Sequence, residues 1–591
     1  MKRVAYIFVA LICCCSVSAQ QSMLEKYKAF QQSAHQNYTD FRDEANAQYA
    51  DFLKAAWEYY QAFAPIPQPQ EEEVPPVIYQ EEQEEQQQQQ EEKKQEEKKQ
   101  DKKDQKPIDQ QQAKQDQQKQ DQQKQQEQQA KQDQQKQKQQ EQEQKKQEEK
   151  QQAKQDQQAK QDQQAKLDQQ KQKQQEQKPE EQPEEEQREA LIKDAPIQYK
   201  EVVTQPKPIP QPKPIAPVVE NNRSIAEQTL KVTFYGTALT FRYPRQGFTL
   251  PSTKGEALSK AWMTLSKEDF DNLLFDCLAA REELSLCDWA YVQLLQQVSE
   301  GICGKGNSAT FLQAFLYTQS GYQMRFATDD KNDLYILVGS NYCFYDRPFF
   351  KIEGTRFFPL NQPKEGMKGV HICKGKFENE QPFSLLIPEE QQFAYAPTAK
   401  RNRTSRQGVG VNISLNENLI RFYNDYPTGH YGDDMGTRWA MYANMPMEEE
   451  LRSNLYPALS MYLLGAEDLQ AVNTLLNWVQ TAFVYQYDDS VWGGDRAFFP
   501  AETLYYPGCD CEDRSILFSR LVRDLLGLDV VLLYYPGHLA AAVAFKQPVN
   551  GDYLVYADKR YTVCDPTYIG APVGRTMPNM NNAEAKIIPL Q

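Results

Sequence analysis

The chain has 591 residues, 25% of them charged, and a net charge of −16. That length admits several domains, and the acidic balance gives no electrostatic basis for binding nucleic acid. Beyond the first 19 residues no stretch is long and apolar enough to read as a transmembrane helix.

In chain order, Met1-Lys2-Arg3 precede an apolar run from Val4 to Cys15, and Val17-Ser18-Ala19 follow before Gln20. This reads as a signal peptide over residues 1–19, cleaved after Ala19. The mature protein is expected to be exported: periplasmic, at the cell surface or secreted. Cys13, Cys14 and Cys15 lack the preceding small residue that lipid attachment favours. Cleavage leaves eight of 11 cysteines, in a compartment where disulfides are permitted. Their pairing is not legible from spacing.

Segment 20–66 carries Leu24, Tyr27, Phe30, Tyr38, Phe41, Tyr49, Phe52, Tyr60 and Phe63 at multiples near 3.6 residues, which predicts an amphipathic helix. Its aromatic stripe is expected to pack on a partner helix or on the protein itself. Association with the envelope through this helix is the weaker reading, because its polar face mixes both charges. Residues 67–218 form a low-complexity spacer. From Gln80 to Gln177 the chain is almost wholly Gln, Glu, Lys, Asp and Ala, with a six-residue repeat starting at Ala153, Ala159 and Ala165. That period has no apolar seam and specifies no coiled coil, so a solvated helix or a disordered tract is expected. Prolines at 206, 208, 210, 212, 214 and 217 then favour polyproline II. The whole spacer is read as inert.

Globular sequence begins near Ser224. A hairpin over Val232–Phe241 leads into helices over Glu268–Ala280, Leu286–Val298 and Ala309–Tyr317 and strands over Leu334–Val338 and Phe349–Phe358. A second hairpin-like segment, Val411–Phe422, opens another set of helices and strands. The two sets divide the region into 224–400 and 408–591.

The second set contains Pro507-Gly508-Cys509-Asp510-Cys511-Glu512-Asp513-Arg514 ahead of a helical run in which Ile516, Leu517, Leu521, Val522, Leu525 and Leu526 recur up to Gly527. A thiol at a helix start meets unpaired N–H groups, which are expected to lower its pKa. His538 and Asp565 follow in the order nucleophile, base and orienting group. Cys509 lacks the acidic residue two positions on, so Cys511 is the nucleophile expected. A zinc site from Cys509, Cys511, Cys564 and His538 is disfavoured by the C-x-C spacing and the lack of a second nearby histidine. The oxyanion donors are expected to be the Cys511 N–H and an upstream side chain, with Tyr505, Tyr506 and Trp492 as candidates.

The run Cys511-x-Asp513-x-Ser515-x-Leu517 after Gly508, then Gly527, His538 and Asp565-Pro566-Thr567, resembles the transglutaminase-like superfamily of papain-type thiol enzymes. Pro500-Ala501-Glu502-Thr503-Leu504 is closest to its bacterial cysteine-peptidase branch. The resemblance covers about the last quarter of the chain. It implies an α+β fold in which the Cys-bearing helix packs on an antiparallel sheet, and a catalytic triad of Cys511, His538 and Asp565. It implies no cofactor and no metal. His538-Leu539-Ala540-Ala541 departs from the family's H-x-W, which leaves the substrate wall beside the imidazole unassigned.

The first set reads as a degenerate copy of this unit. Gly321 aligns with Gly527, the strand from Asp333 with the strand from His538, and Asn361 with Asp565. Lys305, Asp333 and Asn361 then stand where the triad would be. Two functions follow. The first is an exported cysteine peptidase or amidase acting on peptide or isopeptide bonds of a peptide, protein or cell-wall peptide. The second is a non-catalytic envelope binding or scaffold protein on a long polar tether.

Overall fold

The computed structural model describes residues 39–69, 73–79, 196, 198–207, 210–221, 226–361 and 366–591. The signal peptide, the start of the aromatic stripe and nearly all of the Gln/Glu/Lys tract lie outside the described residues. Within them the fold is mixed α+β and built on antiparallel sheets.

Two six-stranded sheets dominate. In the first the order is Glu58–Gln61, Gly369–Ile372, Met324–Thr328, Leu334–Ser340, Thr355–Pro359, Phe350–Ile352. In the second it is Glu201–Val202, Lys586–Pro589, Asp529–Tyr535, His538–Ala544, Lys559–Cys564, Tyr553–Tyr556. Position by position, the strands enter in the same sequence. Each sheet is preceded in the chain by a helix, Asn307–Gln319 or Cys511–Leu526, followed at once by the two central strands as an antiparallel pair. A second hairpin comes next, and then a later strand closes on the first central one. The outermost strand comes from far upstream, antiparallel in the first sheet and parallel in the second.

The central strands are buried on both faces, which explains why they read as continuous apolar runs rather than alternating ones. Leu539, Ala541 and Val543 face the main core with Leu517 and Leu521 of the Cys511 helix, while Ala540 and Ala542 face a smaller cluster with Val531 and Leu533. The single strand expected over Phe349–Phe358 is a hairpin, turned at Glu353 and Gly354, both with positive φ. The segment expected as a hairpin over Val411–Phe422 is a strand, Gly410–Ile413, followed by the helix Glu417–Asp425. Asn416 makes that break: its side chain accepts from the Asn418 N–H and caps the helix.

Regions 224–400 and 408–591 fall within one compact unit. Gly429–Tyr431 pairs with Tyr342–Phe344 across the boundary, and one apolar cluster contains Trp262, Phe422 and Trp478 together.

Both flanks of the polar tract belong to the same body. The helix over 39–54 buries Asn46, Tyr49, Ala50 and Leu53. Asn46 accepts 2.9 Å bonds from Trp262 Nε1 and Gln319 Nε2, and Arg42 holds Asp271 at 3.0 Å. The packed face is therefore offset from the aromatic stripe, which leaves Phe41 and Phe52 exposed. The helix also stops short of Phe63, because Glu58–Gln61 extends into the first sheet. After the tract, the Pro-rich segment is not an inert spacer. Val203, Pro206, Pro212 and Ala216 are buried, Arg281 donates to the Pro212 carbonyl at 3.1 Å, and the Ile215 N–H reaches the Gln319 carbonyl at 3.2 Å. The Lys213 carbonyl passes so near Gly321 (φ +95°) that a Cβ there would lie 1.9 Å from it. Gly321 thus serves both the end of its helix and the close approach of this segment.

Removing Leu53 methyl groups tests whether the N-terminal helix is part of the core. Leu53→Ala is expected to destabilise the whole chain by about 2–5 kcal/mol, the range for a fully buried leucine, measured by urea unfolding. A change below about 0.5 kcal/mol, the range for a surface position, would show that the helix is only docked.

Candidate active site

Cys511 opens a 16-residue helix whose N-cap is Asp510. The Asp510 carboxylate accepts from the Glu512 and Asp513 N–H groups at 3.1 and 3.2 Å. Asp513 answers by accepting from the Asp510 N–H, and its other oxygen takes the Phe498 N–H at 2.7 Å. This reciprocal cap satisfies donors that a buried helix start would otherwise leave orphaned. Arg514, 1% exposed, donates to the carbonyls of Gln480 and Phe483, and Ser515 Oγ donates to the Leu539 carbonyl at 2.8 Å. The helix start is thereby fixed against the strand that His538 begins.

His538 and Asp565 are brought together. His538 Nε2 lies 2.8 Å from Asp565 Oδ2, and both side chains are almost wholly buried. Asp565 Oδ1 accepts from the Thr567 and Tyr568 N–H groups. Gln480 holds the same loop with bonds to the carbonyls of Asp565, Tyr568 and Ala571 and from the Gly570 N–H. His538 Nδ1 is buried and has no hydrogen-bond partner. Cys511 and His538 line one small cavity of about 30 Å³, room for water and no larger guest.

The other expected features of the site divide. Cys509 sits in a two-residue strand, buried, with its thiol directed to the Val484 carbonyl at 4.0 Å, and it does not line the cavity. Tyr505, Tyr506 and Trp492 do not line it either: Tyr506 donates to Asn424, and Trp492 packs edge-on against Phe498 and Tyr506. Trp439, stacked on Tyr534 with ring centroids 5.0 Å apart, forms the wall instead. Its indole N–H is buried without a hydrogen-bond partner. Trp439 lies about 70 residues upstream of the thiol motif, and no local pattern marks it. The Trp439–Tyr534 pair also borders a larger cavity of about 500 Å³, lined further by Val203, Met435 and Ile588.

The thiol itself corrects the expectation of a lowered pKa. Burial pushes the Cys511 thiol well up, and the Asp510 and Glu512 carboxylates push it further, against the Leu539 N–H that bonds to sulfur. The acidic residues that mark the helix start also cancel its positive end. They crowd one another as well. Burial raises Asp510, Glu512 and Asp513 well above the carboxylate range; Asp488 and Glu502 are each pushed up to about 7, again chiefly by burial. Arg438 binds Asp495 at 2.5 Å and lies 3.7 Å from Glu512. Among the described residues, two all-carboxylate groups could hold a hard cation: Asp488, Asp495 and Glu512, and Asp488, Asp510 and Asp513. All eight cysteines after Ala19 are free, and seven are buried.

In the first sheet, Asn307 occupies the place of Cys511. It opens the helix, and its Oδ1 accepts from the Leu334 N–H as the Cys511 sulfur accepts from Leu539. Lys305 was expected there, but it lies two residues before the helix with its side chain 88% exposed. Asp333 precedes Leu334 as His538 precedes Leu539, and Asn361 bonds to Ile336 and Leu334 beside them. The separations are 511 − 307 = 204, 538 − 333 = 205 and 565 − 361 = 204.

Asp488 supplies a test of the buried acid cluster. Its folded pKa of about 7 lies above the ordinary 3.8, so the fold favours its protonated form. Stability from this group is full below about pH 4 and lost as pH rises through about 7. Urea unfolding at pH 5 and pH 8 should show the chain more stable at pH 5, with a smaller difference in Asp488→Asn. An equal or larger difference in the variant would place the pH dependence elsewhere.

Compared with known proteins, the chain matches no family model, no curated protein and no solved structure.

Proposed function

We propose that the protein is an exported thiol hydrolase of transglutaminase-like type that cleaves peptide or isopeptide bonds. The observation that carries this reading is the buried His538–Asp565 pair, in which Nδ1 has no hydrogen-bond partner and His538 lines the same cavity as Cys511. The bond to Asp565 keeps the proton on Nε2 and leaves Nδ1 as the base.

In the first step His538 Nδ1 takes the Cys511 proton while sulfur forms a bond to the carbonyl carbon. The oxyanion is held by the Cys511 N–H and the Trp439 indole N–H. Collapse breaks the C–N bond, and His538 returns the proton to the departing amine. Water, deprotonated by His538, then attacks the thioester, and the thiol and a carboxylic acid are released. The raised thiol fits this order, since proton transfer to His538 accompanies attack rather than preceding it. The 224–400 region is read as a degenerate copy in which Asn307, Asp333 and Asn361 have become structural. The shared strand order and the near-constant separation support that reading. The N-terminal run supports export, and a peptide, protein or cell-wall peptide is the substrate class.

Cys511→Ala is expected to abolish hydrolysis of an internally quenched peptide library by the full-length protein. Asp565→Asn should lower kcat by about 10²–10⁴-fold without unfolding the chain. Hydrolysis at an unchanged rate in Cys511→Ala would contradict the assignment. Peptide binding by wild type with no hydrolysis would favour the scaffold reading.

A further inference from the structure

Residues Glu73–Tyr79 lie beside the cavity that Cys511 lines, and Glu73 is one of its lining residues. The Val74 N–H donates to the Gly537 carbonyl at 3.0 Å, one residue before His538. The Tyr79 N–H donates to the Ile569 carbonyl at 2.8 Å, four residues after Asp565. Between them Val77 and Ile78 pair in parallel with Tyr568 and Ile569. The segment therefore bridges the two chain stretches that carry the base and its orienting carboxylate. Glu73 reaches the cavity that Cys511 lines and accepts from the Tyr485 hydroxyl at 3.2 Å. Val74, Val77 and Tyr79 pack on Tyr568, Ala571 and Met577, and the Tyr79 ring meets Tyr568 edge-on at 5.5 Å.

This is the way an extended peptide is held: main-chain N–H groups on carbonyls of the host, alternate side chains on an apolar floor. Pro75 and Pro76 keep the segment extended before it binds and offer no N–H that would go unpaired. All residues of the segment except Pro75 are at least half-way to burial, yet none is deep in the core. With it in place the cavity beside the thiol holds water at most, and Cys511 is 2% exposed.

We propose that residues Glu73–Tyr79 are a built-in occupant of the thiol cleft, so that the site takes an extended peptide and the resting chain is shut by its own segment. Activation is displacement of this strap. The substrate would then supply N–H groups to Gly537 and Ile569 and apolar side chains toward Tyr568 and Met577. Glu73 adds a further negative group beside the thiol, so strap release also relieves one of the charges that hold it protonated. The substrate class rests on the proposed hydrolase function; the strap itself does not.

The test is site-resolved alkylation of the full-length chain with iodoacetamide at neutral pH. Val74→Pro/Tyr79→Pro removes the two N–H groups that seat the strap. Cys511 labelling is expected to rise at least about tenfold, with Cys277, buried in the first half, unchanged. A synthetic peptide Glu73–Tyr79 added to the variant should restore protection. If Cys277 is labelled too, the double variant has lost its fold, and Tyr79→Pro alone, at the outer end of the strap, takes its place with the same expected rise. Unchanged Cys511 labelling in a folded variant, or no protection by the peptide, would overturn the proposal. Rapid Cys511 labelling without any peptide hydrolysis would leave the strap standing and remove the hydrolase.

Discussion

Five successive ionisable residues, Asp510 to Arg514, are buried at the start of one helix, and much of the packing around that helix is arranged to satisfy them. An unpaired buried charge is among the most costly things a fold can contain. Here the two aspartates cap the helix and each other, Arg514 spends its donors on carbonyls, and Glu512 faces Arg438. Packing around these groups fixes the first turn of the helix to within a hydrogen bond of Leu539. That places Cys511 against the beginning of the strand that presents His538. Burial, with Asp510 and Glu512 beside it, raises the Cys511 thiol, so the packing that positions the thiol also favours its protonated form.

The first sheet shows what the architecture is without that charge. Asn307 replaces the thiol at the helix start and makes the same bond to the neighbouring strand with an amide. Asp333 is left on an exposed turn, where its N–H is taken by Asp329. Asn361 bridges two points of the adjacent strand. The Asn307 and Asn361 side chains are both bonded to the backbone of the neighbouring strand. The two helix starts solve the same backbone problem, and only one of them retains groups beyond what the backbone needs.

Cys511, His538 and Asp565 were legible in the sequence because each sits beside a strong local signal: a capping pattern, a Gly stop, an Asp-Pro turn. It revealed the strands from Leu334 and from His538 because burial on both faces makes unbroken apolar runs. Trp439 and Glu73 were not legible, since they reach the site through tertiary packing from 72 and 438 residues away. The Lys305 misplacement arose from aligning apolar residues of helices that differ in length, 13 against 16 residues; a helix start is fixed by its cap, not by its apolar period. The Pro-rich segment read as a spacer because polyproline needs no partners, yet it also carries carbonyls that Arg281 and the close pass at Gly321 use.

The proposed hydrolysis requires Cys511 and His538 to work as one unit. The most direct measurement is the site and rate of covalent modification by a peptidyl chloromethyl ketone, read by mass spectrometry on the full-length protein. The account predicts a single adduct on Cys511 whose formation is lost in His538→Ala. An adduct on Cys509 or Cys564, or formation on Cys511 at the same rate without the imidazole, would contradict it.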